Sequence, residues 1–308
     1  MTLQCTLNHS IRCSGIGLHS GKKIQLVLHP AMEDTGITFY RTDLGITIPA
    51  HTDYVTDTRL CTTLGTDAGH ISTVEHLLSA LAGLGIDNVR IDVDGSEIPI
   101  MDGSAAPFVF LIQCAGIRKQ SKTKKVIRIL EKIEISQGDK CCALYPSKHF
   151  KVSYTLDYDH PLLQQCQVSI DFTNQAYTRE VSRARTFGFL HEIEALQKSG
   201  LALGGSLENA IVLDQYRVMN EGGLRYSDEC VRHKILDTVG DLSLAGLPIL
   251  GAFKGMRTGH EMNHQLMKKL LHMPEAWRVE DMVDDNININ QNHVDSEGIV
   301  GIPARTLI

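Results

Sequence analysis

Apolar residues along this chain recur in two periods. Where every second position is apolar the pattern predicts a β-strand, and where apolar positions fall three and four apart it predicts a helix. Strand-like runs come early, at residues 24–28 and 36–40. Ahead of them, Gly15-Ile16-Gly17-Leu18-His19-Ser20-Gly21-Lys22-Lys23 reads as a glycine-rich turn. The step from Gly17 to Gly21-Lys22 is too short for a phosphate-binding loop, and Lys23 stands where a magnesium-binding hydroxyl should be. His19 in this turn is a candidate for lining a site.

The period changes over residues 71–85. Ser72 and Glu75 have the spacing of a capping box, so a helix is expected to begin there. It is apolar beyond His76, which predicts burial, and Gly83 and Gly85 end it. Residues 88–93 resume as a strand. Asp102 and Ser104 are plausible caps for a second helix, with Pro107 in its first turn. Further strands are predicted at 126–135, 140–145, 150–158, 169–172, 210–213 and 249–253, and a helix over 191–198. Val231, Ile235, Leu236, Val239 and Leu242 mark an amphipathic helix, and residues 260–271 a last one.

Val74-x-His76 with Gly83 recurs as Val231-x-His233 with Gly240 at the same spacing, and strands flank both helices. An internal duplication is therefore expected, with the two helices side by side. The division read from the chain is a first domain over 1–117, a basic linker over 118–125, a second domain over 126–276 and a poorly packed extension over 277–308. The linker carries Arg118, Lys119, Lys122, Lys124 and Lys125 with no acid.

Composition narrows the class. With 308 residues, 43% hydrophobic, 21% charged and a formal charge of −6, the chain reads as a soluble globular protein with no nucleic-acid footprint. No apolar run reaches the ~20 residues of a membrane helix. No signal peptide is visible at the N-terminus. The eight cysteines form no CxxC pair, which suggests free thiols in a reducing cytoplasm.

On the second amphipathic helix His233 and Asp237 are one turn apart on one face, where both can reach one metal ion. Asp241 continues that face. If the duplication holds, His76 approaches them. Three protein ligands with an open fourth position describe a catalytic rather than a structural zinc site. Glu75 diverges from His76 by about 100° around the helix, which leaves it free to act as a general base. His260 and His264, also four apart, form a rival metal pair. His260 stands at a helix start, however, where the helix dipole favours developing negative charge and a catalytic imidazole.

The segments Ser72-Thr73-Val74-Glu75-His76, Met101-Asp102-Gly103-Ser104-Ala105-Ala106-Pro107-Phe108, Ser182-Arg183-Ala184-Arg185-Thr186-Phe187-Gly188-Phe189, Leu203-Gly204-Gly205-Ser206 and Val231-Arg232-His233-Lys234-x-x-Asp237 occur in that order. Together they resemble the bacterial UDP-3-O-acyl-N-acetylglucosamine deacetylase family, from about Arg12 to Leu271. The resemblance implies an α+β fold of two similar domains, each a small sheet packed on helices, with a metal site at the interdomain interface. It implies a zinc-dependent amidohydrolase of lipid A biosynthesis that removes acetate from the 2-amino group of its substrate. His76, His233 and Asp237 would bind Zn²⁺, with Fe²⁺ also compatible.

Glu75 would be the base that activates water. His260 would protonate the leaving amine, with Asp241 holding its imidazole charged, and Lys234 and Thr186 would stabilise the tetrahedral intermediate. An insert over about 183–207 would form an apolar passage for the acyl chain. Leu190, Ile193, Leu196, Ala202, Leu207 and Val212 match its positions, although from the pattern alone they read as ordinary core. Phe187, Gly205 and His19 fall with the substrate-binding set, and Tyr158 and Arg257 would meet the uridine diphosphate. Arg257 stands where relatives have Lys. The partner implied is a small-molecule UDP-sugar lipid, with no nucleic acid and no stable membrane insertion. Two other readings keep the scaffold and change the chemistry: a related metal hydrolase or 3-hydroxyacyl thioester dehydratase, and a non-enzymatic UDP-sugar-binding protein.

Overall fold

The computed structural model describes residues 1–283, so most of the expected C-terminal extension, from 284 onward, lies outside the described residues. Helices α1 (Glu75–Gly83), α2 (Ala106–Ala115), α3 (Asn174–Glu180), α4 (Leu190–Lys198), α5 (Glu229–Ser243) and α6 (His260–Leu271) accompany two five-stranded sheets. The first sheet contains β1 (Ile11–Ile16), β2 (Lys23–Pro30), β3 (Ile37–Arg41), β4 (Ile46–Pro49) and β5 (Val89–Val93), in the order β1-β2-β5-β3-β4. The second contains β6 (Ile133–Gln137), β7 (Lys140–Tyr145), β8 (Lys151–Leu156), β9 (Cys166–Asp171) and β10 (Ala252–Met256), in the order β6-β7-β10-β8-β9.

The two sheets have one topology. In each, a strand downstream of a buried His-bearing helix (β5 after α1, β10 after α5) enters the middle, antiparallel to the second strand and parallel to the third. The duplication read from three identities is thus present in the architecture. Each sheet buries one face, as the two-residue alternation dictates. In β2, Ile24, Leu26 and Leu28 are buried and Lys23 and Gln25 exposed. In β8, Val152, Tyr154 and Leu156 point inward.

The His-bearing helices pack against each other, α5 also packing on β8 and α6. Helix α1 is buried nearly all round, its polar Glu75, His76 and Ser79 included. The close approach depends on Gly240. A Cβ at this position would overlap the carbonyl oxygen of Glu75, so only glycine lets the two backbones meet. Gly83 in α1 instead makes room for a side chain, the ring of Tyr177 from α3.

Three expectations change. The capping box does not form: Val74 is the N-cap of α1 and no side chain caps it. Ser72 Oγ donates to Ser96 O, and the Glu75 carboxylate turns away to accept the Thr62 N–H. The basic stretch is not a loose linker. Ile117–Thr123 is a strand antiparallel to Leu3–Leu7, and Lys125–Ile129 pairs with Trp277–Asp281. Two of its charges are matched across space by acids distant in sequence, with Lys124 Nζ 3.0 Å from Asp87 and Lys122 paired with Asp34. The chain beyond Trp277 therefore begins as a paired strand, and Trp277 Nε1 donates to Leu270 O at 2.8 Å. Among the described residues no strand of one half enters a sheet of the other, and we propose that the domain division falls beside Lys124.

Replacing Gly240 by Ala should force α1 and α5 apart and cost about 1–3 kcal/mol or more. Gly222→Ala, at a position with open space around it, should stay within about 0.5 kcal/mol of wild type. Urea unfolding of the two variants distinguishes them. Equal stability would show that the helix crossing does not rest on Gly240.

Candidate metal centre and active site

The first turn of α1 supplies His76, and α5 supplies His233 and Asp237 one turn apart. His233 Nε2 lies 3.2 Å and His76 Nε2 3.6 Å from the same oxygen, Asp237 Oδ1. One donor atom from each residue falls within 4.8 Å of the others, and all three residues are buried. Asp237 Oδ2 accepts from Lys234 Nζ at 2.9 Å, but Oδ1 is buried with no hydrogen-bond partner. An orphaned carboxylate oxygen facing two imidazole nitrogens is costly unless a cation completes the cluster. Two imidazoles and a carboxylate fit a borderline divalent ion.

Proton positions agree with that reading. The carbonyl of Ala184 can only accept, so His233 Nδ1, 3.0 Å away, carries the hydrogen and Nε2 keeps its lone pair. Burial pushes the His233 pKa down to about 4 against the pull of Asp237, which keeps the ring neutral. Asp237 is held well below the usual carboxylate range: burial opposes its charge, but the positive charges of Lys234 and His260 favour it. The Ala184 carbonyl is itself fixed through its neighbour. Arg185 donates its backbone N–H and its guanidinium to Glu229, a fully buried acid in the first turn of α5.

A second group of charges adjoins the first. Glu75 Oε2 accepts from the Thr62 N–H at 3.1 Å, and Oε1 lies 3.9 Å from His260 Nε2. His260 Nδ1 bonds Asp241 Oδ2 at 2.9 Å, which leaves Nε2 facing Glu75. Asp241 also accepts from Asn263 Nδ2 at 2.9 Å and from Thr62 Oγ1 at 2.6 Å. Burial raises the pKa of Glu75, with His260 and His76 partly opposing it. In His260 burial works against the charged ring, but the carboxylates of Asp241, Glu75 and Asp237 prevail and raise its pKa to about 9.

These groups open on a cavity of about 260 Å³. Glu75, His76, His233, Lys234, Asp237 and His260 line it together with Thr186, Phe187, Tyr158 and His19. Tyr158 meets Phe187 and Phe189 edge-on, and Lys234 Nζ sits 5.6 Å above the Phe187 ring. Leu190, Ile193, Leu196, Ala202, Gly205, Leu207, Val212 and Arg257 do not line this cavity. Ala202 and Val212 are buried, but α4 buries none of its side chains, so Leu190, Ile193 and Leu196 are not ordinary core. Leu207 is exposed. Arg257 pairs with Asp139 outside the cavity. Nor are His260 and His264 a metal pair: His264 Nδ1 bonds Thr52 Oγ1 while His260 bonds Asp241.

Sequence reasoning missed Thr62, Asn263, Cys61, Phe189 and Glu192. Thr62 and Cys61 lie in an aperiodic stretch with no motif, so no local signal marked them. Phe189 was quoted in a motif but given no part.

Comparison with known proteins agrees with the geometry. The model of the UDP-3-O-acyl N-acetylglycosamine deacetylase family matches residues 4–272. The chain is 52% identical to the UDP-3-O-acyl-N-acetylglucosamine deacetylase of Acidithiobacillus ferrooxidans, covering 92% of this chain and 95% of that one. It is 50% identical to the protein of that name in Haemophilus influenzae, with 100% of both chains covered. Teredinibacter turnerae has another at 51% identity, covering 91% of this chain and 93% of that one. A match over nearly the whole length, at half the positions, places this chain in the UDP-3-O-acyl N-acetylglycosamine deacetylase family.

Proposed function

We propose that the protein is a metal-dependent amidohydrolase that removes acetate from UDP-3-O-acyl-N-acetylglucosamine, leaving UDP-3-O-acyl-glucosamine, in lipid A biosynthesis. The observation that carries this reading is the juxtaposition of a His₂Asp donor set with a buried carboxylate and a charged imidazole on one cavity wall. A divalent ion held by His76, His233 and Asp237, Zn²⁺ first and Fe²⁺ second, supplies Lewis acidity toward the amide carbonyl and lowers the pKa of water.

The chain's own residues handle the protons and the charge. Glu75, with its pKa raised by burial, accepts a proton from the attacking water. His260, kept protonated by Asp241, donates to the leaving amine. Lys234 and Thr186 face the cavity and stabilise the oxyanion as its charge develops. Tyr158, Phe187 and His19, which line the cavity, hold the sugar nucleotide. The insert, with Leu190 exposed and Ile193 and Leu196 half-buried on α4, accepts the acyl chain together with Ala202, Gly205, Leu207 and Val212. Arg257 contributes charge toward the diphosphate if it exchanges Asp139 for phosphate. No helix among the described residues is long and apolar enough to cross a membrane. The eight free cysteines support a reducing, cytoplasmic location.

Purified protein should release acetate from the acylated UDP-sugar with one metal ion bound per chain, and a chelator should abolish release until Zn²⁺ is restored. Dehydration of a 3-hydroxyacyl thioester to the enoyl thioester and water, in place of acetate release, would overturn the substrate assignment. Glu75→Gln should lower kcat by about 10²–10⁴-fold, the usual worth of a positioned base.

The pH dependence has a definite sign. A raised pKa keeps His260 in its acid form through neutrality, so activity should fall as pH rises through about 9. Asp241→Asn removes the strongest influence raising that value and should move the alkaline limb of kcat/KM to lower pH. An unmoved limb would show that it does not report His260.

A further inference from the structure

We propose that Thr62 is a positioning residue that sets the proton acceptor and the proton donor of the reaction in register. The inference rests on the assignment of those parts to Glu75 and His260.

Thr62 is 2% exposed and uses its backbone and its side chain on different partners. Its N–H holds Glu75 Oε2 at 3.1 Å. Its hydroxyl lies 2.6 Å from Asp241 Oδ1, the length of a charge-assisted bond. The direction of that bond is fixed by chemistry. An ionised carboxylate can only accept, so the hydroxyl hydrogen goes to Asp241. Thr62 Oγ1 also lies 3.3 Å from His260 Nδ1, but the ring hydrogen has a shorter path to Asp241 Oδ2 at 2.9 Å. Asp241 thus presents one oxygen to Thr62 and the other to His260 and Asn263. Rotation of the carboxylate is blocked from both sides, and His260 Nε2 stays turned toward Glu75, 3.9 Å away.

Thr62 also spans the two halves of the chain. Glu75 belongs with it to the first, whereas Asp241, His260 and Asn263 belong to the second. The segment carrying it is held under backbone strain. Leu60 at φ 67° and Thr73 at φ 58° are non-glycine residues in the left-handed region, on either side of the contact. Val74 N–H reaches Thr62 O at 3.4 Å and ties the two segments together. Strained conformations that persist in a buried wall are commonly kept for what they position. Here they place one threonine against both carboxylates.

Thr62→Val keeps the shape and the backbone N–H to Glu75 but removes the hydroxyl donor, whereas Thr62→Ser keeps the donor. The Val variant should lose about 10- to 100-fold in kcat on the acylated UDP-sugar, as expected for a lost hydrogen bond to a charged group, with KM unchanged. The Ser variant should restore most of that loss. A second readout does not need turnover. In protein labelled with ¹⁵N-histidine, the His260 Nδ1–H resonance, assigned by its absence in His260→Gln, should persist in wild type and Ser and shift or broaden in Val.

Thr62→Ala, measured beside Val with thermal unfolding of each variant, separates a lost donor from a packing fault. Wild-type kcat and an unchanged His260 resonance in Val would overturn the proposal. So would a Ser variant as impaired as Val. If wild type releases no acetate, the deacetylase reading fails, and the resonance comparison still decides whether Thr62 orients His260.

Discussion

The contact between α1 and α5 is the constraint on which the site depends. The two helices come from opposite halves of the chain, and they meet closely only because Gly240 has no side chain to strike the backbone of Glu75. That crossing brings His76 within reach of His233 and Asp237. It also buries Glu75, His76, His233, Asp237 and Asp241, each less than 5% exposed. Burying so many polar groups is unfavourable unless each finds a partner. The fold meets most of that demand by pairing the groups with one another, and leaves Asp237 Oδ1 without a hydrogen bond beside two imidazole nitrogens.

The arrangement separates two kinds of charge. One wall collects donors for a cation: two imidazole nitrogens and a carboxylate oxygen with no hydrogen to accept. The other sets a carboxylate against an imidazole held charged by a second carboxylate. Lys234 closes the set by occupying Asp237 Oδ2, so only Oδ1 remains free. Around both walls a layer of backbone groups fixes orientation. The Ala184 carbonyl decides which His233 nitrogen bears hydrogen, and the Arg185–Glu229 pair holds the loop from which that carbonyl comes. Chemistry in this cavity depends as much on such neighbours as on the groups that face the substrate.

The repeated topology explains why a symmetric frame carries an asymmetric site. Both halves build the same five-stranded sheet around a helix with the same Val-x-His start. Only α5 continues with Lys234, Asp237 and Asp241, while α1 continues with leucines and alanine. The second half also carries α4 and the strand pair Phe187–Phe189 with Ile211–Leu213, which has no counterpart in the first. Duplication supplied the frame, and divergence assigned one helix mainly to packing and the other mainly to chemistry.

What the sequence determined by itself is what short-range periodicity can encode. A helix places residues three and four apart on one face, so His233, Asp237 and Asp241 were legible as a row, and alternation in β2 and β8 fixed which residues face inward. The repeated Val-x-His start brought in His76 with Glu75 beside it, and the family resemblance decided between the two readings of His260. Tertiary structure decided everything that joins distant segments. It turned Glu75 from a helix cap into a partner of Thr62, since a buried carboxylate takes the donor that the packing brings near. It paired the basic stretch 117–123 with a strand at the other end of the first half, a match between sequence-distant edges that no local pattern records. It left no side chain of the apolar face of α4 fully buried, although periodicity reads that face as core. Thr62 itself was invisible for the same reason: its two hydrogen bonds reach Glu75 and Asp241, thirteen and 179 positions away along the chain.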